Sequence, residues 1–532
     1  METYNIPALV KKILLSRGYK TEKSMVNFLY NSISSLSEPF FIPDLKKACE
    51  VLKEAILKKE KIFVYGDGDT DGICASFLLL NLLKVVNANF SFRLTHRLDE
   101  DYEIEDALID ELAEEEYSLL ISVDCGISSY SALKKAREYG IKVIILDHHI
   151  GEPSKLQTFH IYVNPWLKKK WPEGTENLSG TGIVYKFIEG MGILLPGIKE
   201  AMAHNFVEVV ALSIIADSLP LTGENRIFVK EGLHRMPFTK IKGLGYLIET
   251  QNIRQPLHPR DISMRIVSLL NSPGRLGKPD VALNLLMEND DHSIKKIIEE
   301  IAKIDRERYQ MVAKAMGKIK KEELENGIVI SEKISPGICG IIASRLAGNY
   351  CKPFMVGYLS SNFLKGSIRA PENYNLYENL KPIKKYMVSL GGHKEAMGFK
   401  CPVTHIPKIK SFWKGIKWKT GNKKQYYDCP LDIRDINPSI IEEVTNYLQP
   451  FGKGNPEPVF LCRNVSFTKI SARNNGNNGP FWVKKDGAIY EAVFSSEHSF
   501  MPDKEKVDIL YTPSVRRQNN LYRIVLKVKK IL

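Results

Sequence analysis

The sequence predicts an α/β protein: two α/β domains joined by a long helix, with a small β-barrel behind them. Three observations carry that reading. Between Lys61 and Asp217 short apolar runs alternate with helical stretches, the βαβ signature of a mainly parallel sheet. A charged stretch from His292 to Gly327 repeats Ile, Ala and Met at helical spacing. The last hundred or so residues hold short segments of alternating polarity between turn signals.

Taken in order, residues 1–60 read as short amphipathic helices with a basic flank, a cap leading into the first strand. Residues 61–285 form the first α/β domain, helical and turn-rich beyond Asp217. Residues 286–326 are the connector helix, with Gly327 suited to its end. Residues 327–405 form the second, smaller α/β domain, with strand-like GIVISEK and PFMVGYL and glycine turns at Gly366, Gly391 and Gly392. Residues 406–425 hold seven lysines, two tryptophans and no acid. They suit either a linker lying along a phosphate backbone or a surface segment whose Trp413 and Trp418 pack inward. Residues 426–532, with FLCRNVSFTKI, PFWVKKDG, IYEAVFSS, VDILYTPSV and LYRIVLKVKKIL, fit a barrel of the OB type.

At 532 residues and 44% apolar content the chain can bury more than one core. No run approaches the roughly 18 apolar residues of a membrane span, and the first residues lack the small-residue cleavage site of a secretory signal. A cytoplasmic protein is expected. The eight cysteines are scattered with no CxxC pair, which argues against a disulfide framework and against a cysteine zinc site. A net charge of +13 fits a polyanionic partner, although charge alone is weak evidence.

Four apolar runs each end in an aspartate. FVYGDGDTDG carries Asp67, Asp69 and Asp71, LLISVDCG ends at Asp124, VIILDHH at Asp147 with His148 and His149, and VVALSIIAD at Asp217. If the first three runs are neighbouring parallel strands, their acids share the rim where open α/β sheets place ligands. Two bare carboxylates about 4 Å apart repel by roughly 4 kcal/mol at an effective dielectric near 20, so such a cluster calls for cations. GDGDTDG also matches half of an EF-hand loop, but its twelfth position is Leu78 and KIFVYG before it reads as a strand. A neutral imidazole is a common transition-metal ligand, and an adjacent carboxylate such as Asp147 can orient it.

These residues resemble a known family. GDGDTDG, VDCG, the Asp147-His148-His149 triplet and ADSLPLTGENR are similar to the four motifs of the DHH phosphoesterases. The stretches PGICGIIASR (336–345), KGSIR (365–369) and GGHKEAMG (391–398) resemble the DHHA1 substrate-binding domain. SRG (16–18), NSPGR (271–275) and PFGKGNPEP (450–458) extend the likeness to the RecJ family of bacterial single-strand-specific DNA exonucleases.

The resemblance implies Asp67, Asp69, Asp71, Asp124, His148 and Asp217 as ligands for two divalent ions, Mn²⁺ or Mg²⁺, with Asp124 bridging. It places His149 toward the scissile phosphate, with Asp147 orienting rather than ligating. Two such ions would generate and aim the attacking hydroxide and stabilise the leaving oxygen. Arg97, Ser367 and Arg369 match residues that hold a 5′ phosphate, and Arg275 and His393 are further candidates for contacting the nucleic acid. Tyr65 stands where some relatives carry a metal-binding histidine, and Asp101-Tyr-Glu103 where Gly-Tyr-Gly is usual. The implied activity is 5′ to 3′ degradation of single-stranded DNA to 5′-mononucleotides, in DNA repair and recombination. Single-stranded DNA is the implied partner, a single-strand-binding protein and a helicase are further candidates, and a monomer is expected. The alternatives are a DHH phosphodiesterase acting on short oligonucleotides or cyclic dinucleotides, which typically lacks the barrel, and a non-catalytic replication scaffold, which typically loses metal ligands.

Overall fold

The first sheet is built from β1 (Lys61–Gly66), β2 (Asn89–Leu94), β3 (Leu119–Val123), β4 (Lys142–Leu146) and β5 (Ile161–Val163). Every pairing is parallel and the order is β2-β1-β3-β4-β5, so the three aspartate-ending strands β1, β3 and β4 are neighbours, as expected. Helices cover both faces, which is why β3 and β4 read as unbroken apolar runs rather than alternating ones. The fourth run is not a strand: Val207–Ala216 is a helix, apolar all round and buried along nearly its whole length, and it ends on Asp217. The computed structural model describes every residue except 1–4, 97–102, 168–170, 196, 199–205, 373, 393, 420–426, 470–480, 495–504 and 519–520.

The connector, expected as one helix over 286–326, is two. A 26-residue helix, Asp291–Met316, starts on the Asp290 side chain, which accepts the Ser293 N–H at 2.8 Å, and a short second helix spans Lys321–Asn326. The break falls at Gly317, the residue with the poorest helix propensity in the stretch.

The second sheet, β6 (Ile328–Ile330), β7 (Phe354–Ser360), β8 (Phe363–Arg369), β9 (Ser389–Gly392) and β10 (Ala396–Pro402), runs β6-β7-β8-β10-β9, with only β6 and β7 parallel. The three glycines expected in turns lie inside strands. Gly366 is required there by a neighbour, since a Cβ would sit 2.1 Å from the Val356 carbonyl oxygen across β7. The basic stretch after residue 405 begins with a helix, Ile406–Gly415. Its Ile409 and Trp413 are buried in the sheet's core beside Met355 and Phe399, and Trp418 meets Trp413 edge-on at 4.9 Å. The inward-packing reading therefore holds up to Trp418, and the stretch is not a linker there.

The third sheet, β11 (Cys429–Pro430), β12 (Phe460–Lys469), β13 (Phe481–Lys485), β14 (Ala488–Phe494), β15 (Val507–Gln518) and β16 (Leu521–Ile531), closes on itself. The path β12-β13-β14-β16-β15 returns to β12, a five-stranded barrel, with β11 added beside β12. Its core includes Val465, Ile509 and Leu526, and also Val10, Ile13, Leu14, Phe28 and Leu29 from the helices Ala8–Ser16 and Glu22–Tyr30. The expected N-terminal cap is therefore split. Residues 1–35 belong to one compact unit with 220–222 and 424–532, whereas the helix Leu45–Lys58 belongs to the other unit, 36–219 with 223–423.

Two of the sequence motifs meet in the first of these units. Arg17 donates from Nε and Nη2 to both oxygens of Asp428 at 2.7 and 3.2 Å, from Nη1 to Asn455 at 2.6 Å, and from Nη2 to the Pro456 carbonyl at 3.0 Å. Both side chains of the pair are almost fully buried. Arg17→Ala strands Asp428 without its cation, so this unit is expected to lose about 3–5 kcal/mol, measured by denaturant melts. Arg17→Lys, which cannot match the fork, recovers only part of it. No helix among the described residues is long and apolar enough to cross a membrane.

Candidate functional site

The loops that follow β1, β3 and β4 converge at the carboxyl rim of the first sheet. After β1, Asp67 is buried, and its Oδ1 accepts the Thr95 hydroxyl at 2.7 Å and the Gly68 N–H at 2.6 Å. Asp69 caps the helix Thr70–Val85 by accepting the N–H groups of Asp71 and Gly72 at 3.0 and 3.2 Å. Asp71 lies in that helix's first turn, fully buried, and faces the start of the helix Gly180–Leu194. It accepts the N–H groups of Gly180 and Thr181, both at 2.8 Å, and the Thr181 hydroxyl at 2.6 Å.

Asp124, at the end of β3, has φ +61° and is 2% exposed. Gly180 lies so close that a Cβ there would be 2.6 Å from Asp124 Oδ1. His148 Nε2 stands 3.2 Å from Asp124 Oδ1, 3.3 Å from Asp217 Oδ2 and 3.8 Å from Asp71 Oδ2. His149 places Nδ1 2.8 Å from Asp147 Oδ1, whose other oxygen accepts the Ile127 N–H at 3.3 Å. Three overlapping donor groups result, each with atoms within 4.8 Å of one another: Asp67, Asp69 and Asp124; Asp71, His148 and Asp217; Asp124, His148 and His149.

Electrostatics of the bare cluster are unfavourable. Burial and the Asp217 charge push Asp71 up to about 7, and burial together with Asp71 and Asp69 pushes Asp124 well above the usual carboxylate range. Burial works against a charged His148, but Asp217 and Asp71 outweigh it and raise the imidazole to about 9. Asp147 is the exception: although burial opposes its charge, His149 holds it down to about 2. Asp124 Oδ1 and His148 Nε2 are both buried and, outside the cluster itself, without a hydrogen-bond partner. Buried polar atoms of this kind are satisfied by a bound cation. Oxygen and imidazole donors around them suit a divalent cation of the Mn²⁺ or Mg²⁺ kind.

The acids and histidines of the four aspartate-ending runs are thus brought together at one rim. Tyr65 is not among them, being packed in a core beneath with Phe63 and Ile104. Ser367 and Arg369 adjoin on β8, Arg369 donating from Nη1 to the Ser367 hydroxyl and, at 3.0 Å, to the Ile368 carbonyl. Arg275 donates to the Gly337 carbonyl at 3.3 Å. Arg97 and His393 lie outside the described residues.

Several supporting residues escaped the sequence reading. Thr95 and Thr181 hold acids, and Asn271 accepts the Thr70 N–H at 2.9 Å, so the NSPGR motif pins the first acidic loop. Gly274 of the same motif abuts the Gly68 carbonyl, where a Cβ would come within 2.0 Å. Asn164 donates to the His149 carbonyl at 2.9 Å and Trp166 Nε1 donates to the His148 carbonyl at 2.8 Å. A polar residue just past a strand or at a helix start was the only available signal for most of these.

Residues 61–214 match the DHH family, N-terminal domain, and residues 427–530 match the RecJ OB domain. The chain thus carries a DHH domain and a RecJ OB domain. The single-stranded-DNA-specific exonuclease RecJ of Bacillus subtilis is 30% identical over 87% of this chain and 60% of its own length, and that of Thermus thermophilus is 29% identical over 78% and 61%. The chain thus spans about three fifths of the length of these two RecJ relatives. Among solved structures, Thermus thermophilus RecJ in complex with Mn²⁺ superposes with a TM-score of 0.79 at 22% identity, covering 99% of this chain and 78% of that one. An exonuclease RecJ bound to manganese gives 0.58 at 27% identity, over 70% and 94%.

Proposed function

We propose that this chain is a metal-dependent exonuclease that degrades single-stranded DNA from its 5′ end to 5′-mononucleotides. The observation that carries the reading is the set of three overlapping donor groups, two sharing Asp124 and two sharing His148, with Asp124 Oδ1 and His148 Nε2 buried and without a hydrogen-bond partner outside the cluster. Asp67, Asp69 and Asp124 would hold one divalent ion and Asp71, His148 and Asp217 a second. When bound, two such ions supply an activated water and charge stabilisation for in-line phosphodiester hydrolysis.

The chain's own residues supply the rest. His149 is 44% exposed in its side chain and raised to about 9, Asp147 outweighing the opposing effect of burial. Its Nδ1–H donates to Asp147, which orients the ring, and its Nε2 is the nitrogen that can meet a phosphate oxygen. Ser367 and Arg369 form a hydroxyl and guanidinium pair fit for a terminal phosphate. The closed barrel supports sequence-tolerant strand binding. The free thiols, seven of the eight buried, fit the cytoplasm.

The test is a digest of end-labelled single and double strands with Mn²⁺, Mg²⁺ or chelator. Mononucleotides should leave the 5′ end of the single strand, the duplex should resist, and chelator should stop turnover. Faster turnover of a dinucleotide than of a long strand would overturn the reading in favour of an oligonucleotide phosphodiesterase. In the same assay Arg369→Ala should reduce the preference for 5′-phosphorylated over 5′-hydroxyl ends by roughly tenfold, the scale of one charge-assisted contact. An unchanged ratio would remove Arg369 from the end-binding role.

A further inference from the structure

Trp166 stands out on the rim of the first sheet. Large aromatic side chains are usually mostly buried, yet Trp166 is 58% exposed. It is also fixed in place. Its indole Nε1–H donates to the His148 carbonyl at 2.8 Å, and its backbone N–H donates to Asn164 Oδ1 at 2.9 Å. Asn164 in turn donates to the His149 carbonyl at 2.9 Å. The turn after β5 is therefore tied to the two carbonyls of the histidine pair, beside β4, whose partner strand β5 ends on Val163 opposite Leu146.

A buried indole N–H normally needs a partner, and this one finds it while the ring stays in solvent. The arrangement leaves more than half of the residue in solvent and anchors its indole Nε1 on the His148 carbonyl, one residue before His149. An immobilised, exposed aromatic face beside a nucleic-acid site is a stacking platform for a base, and it is tolerant of sequence because every base has a π-face. Resting on the exonuclease reading above, we propose that Trp166 is a base-binding residue of the candidate active site, stacking a nucleobase of the strand next to the phosphate that reacts. It would act in substrate binding, and its side chain would touch the base rather than the phosphate.

The experiment is steady-state digestion of 5′-phosphorylated single strands by the full chain, wild type, Trp166→Ala and Trp166→Phe, with thermal melts confirming folding. Each strand is also made with one abasic residue at the first, second or third position. Trp166→Ala should raise KM by about five- to a hundredfold, the range of losing one base–aromatic stack, with kcat changed far less. Trp166→Phe keeps an aromatic face but loses the bond to the His148 carbonyl, and should recover most of the KM. The Ala penalty should vanish on the strand whose abasic position is the stacked one.

An unchanged KM in Trp166→Ala overturns the proposal. So does a penalty of the same size on all three abasic strands, or a Phe variant as impaired as Ala, since both assign the indole to anchoring the turn. Failure of the unaltered chain to digest single strands is a separate result, and it strikes the exonuclease reading instead.

Discussion

Asp124→Asn should abolish nuclease turnover while leaving the fold and single-strand binding intact. Asparagine is the informative replacement because Asp124 sits at φ +61°, a left-handed conformation that Asn tolerates better than most side chains. The volume is nearly conserved, so the burial and the Gly180 contact are kept. What changes is the charge and one acceptor, at the carboxylate that two donor groups share. In the amide an NH₂ or a weaker acceptor faces His148 Nε2 at 3.2 Å, and the central negative charge is gone. The loss should exceed the roughly 10- to 100-fold typical of groups that only orient a metal ligand. Binding of labelled DNA and the melting temperature should stay close to wild type. Turnover above about a tenth of wild type would remove Asp124 from the bridging role.

Gly180→Ala should damage the same site from behind. A Cβ at Gly180 would fall 2.6, 2.7 and 2.8 Å from Asp124 Oδ1, Cβ and Cγ, which is the whole side chain rather than a flexible tip. Gly180 cannot retreat easily, because its N–H is held at 2.8 Å by Asp71. Asp124 must move or the helix Gly180–Leu194 must shift, and either opens the distance among the donors. Overpacking of this kind costs about 1–3 kcal/mol. Metal affinity, read by calorimetric titration with Mn²⁺, should fall at least about tenfold. Gly348→Ala is the control: it lies in the helix Cys339–Tyr350 with open space around it, and should be neutral or stabilising by up to about 1 kcal/mol. Equal Mn²⁺ affinity in Gly180→Ala and wild type would show that Asp124 can yield without cost.

Much of this site is legible in the sequence. An apolar run ending in an acid is local information, and parallel strands buried on both faces force such runs to end on a common rim. That is why Asp67, Asp69, Asp124, Asp147 and His148 could be grouped from their positions in the chain. Asp217 was found as the end of a similar run, although its element is a helix. A short wholly apolar stretch looks the same in either conformation when every face is buried.

The residues that the sequence did not reveal share one property: their partners are remote. Thr181 serves Asp71 from 110 positions away and Asn271 serves Thr70 from 201. A side chain chosen for a contact across the fold leaves no periodic trace near itself. The N-terminal helices show the same limit. Their amphipathic pattern predicts that they bury one face, but not that the face meets the barrel's core, which the Arg17–Asp428 pair and Val10, Ile13 and Leu14 reveal.

By itself, then, the chain's pattern determined the parallel class of the first sheet, the barrel of the third, the acids and histidines of the rim and their family likeness, because strand burial and turn chemistry act over a few residues. Only the tertiary structure decided which acids share Asp124, where the buried donor atoms lie, and that Trp166 is held facing solvent. Those depend on distances between segments far apart in sequence, set by close packing that no local pattern encodes.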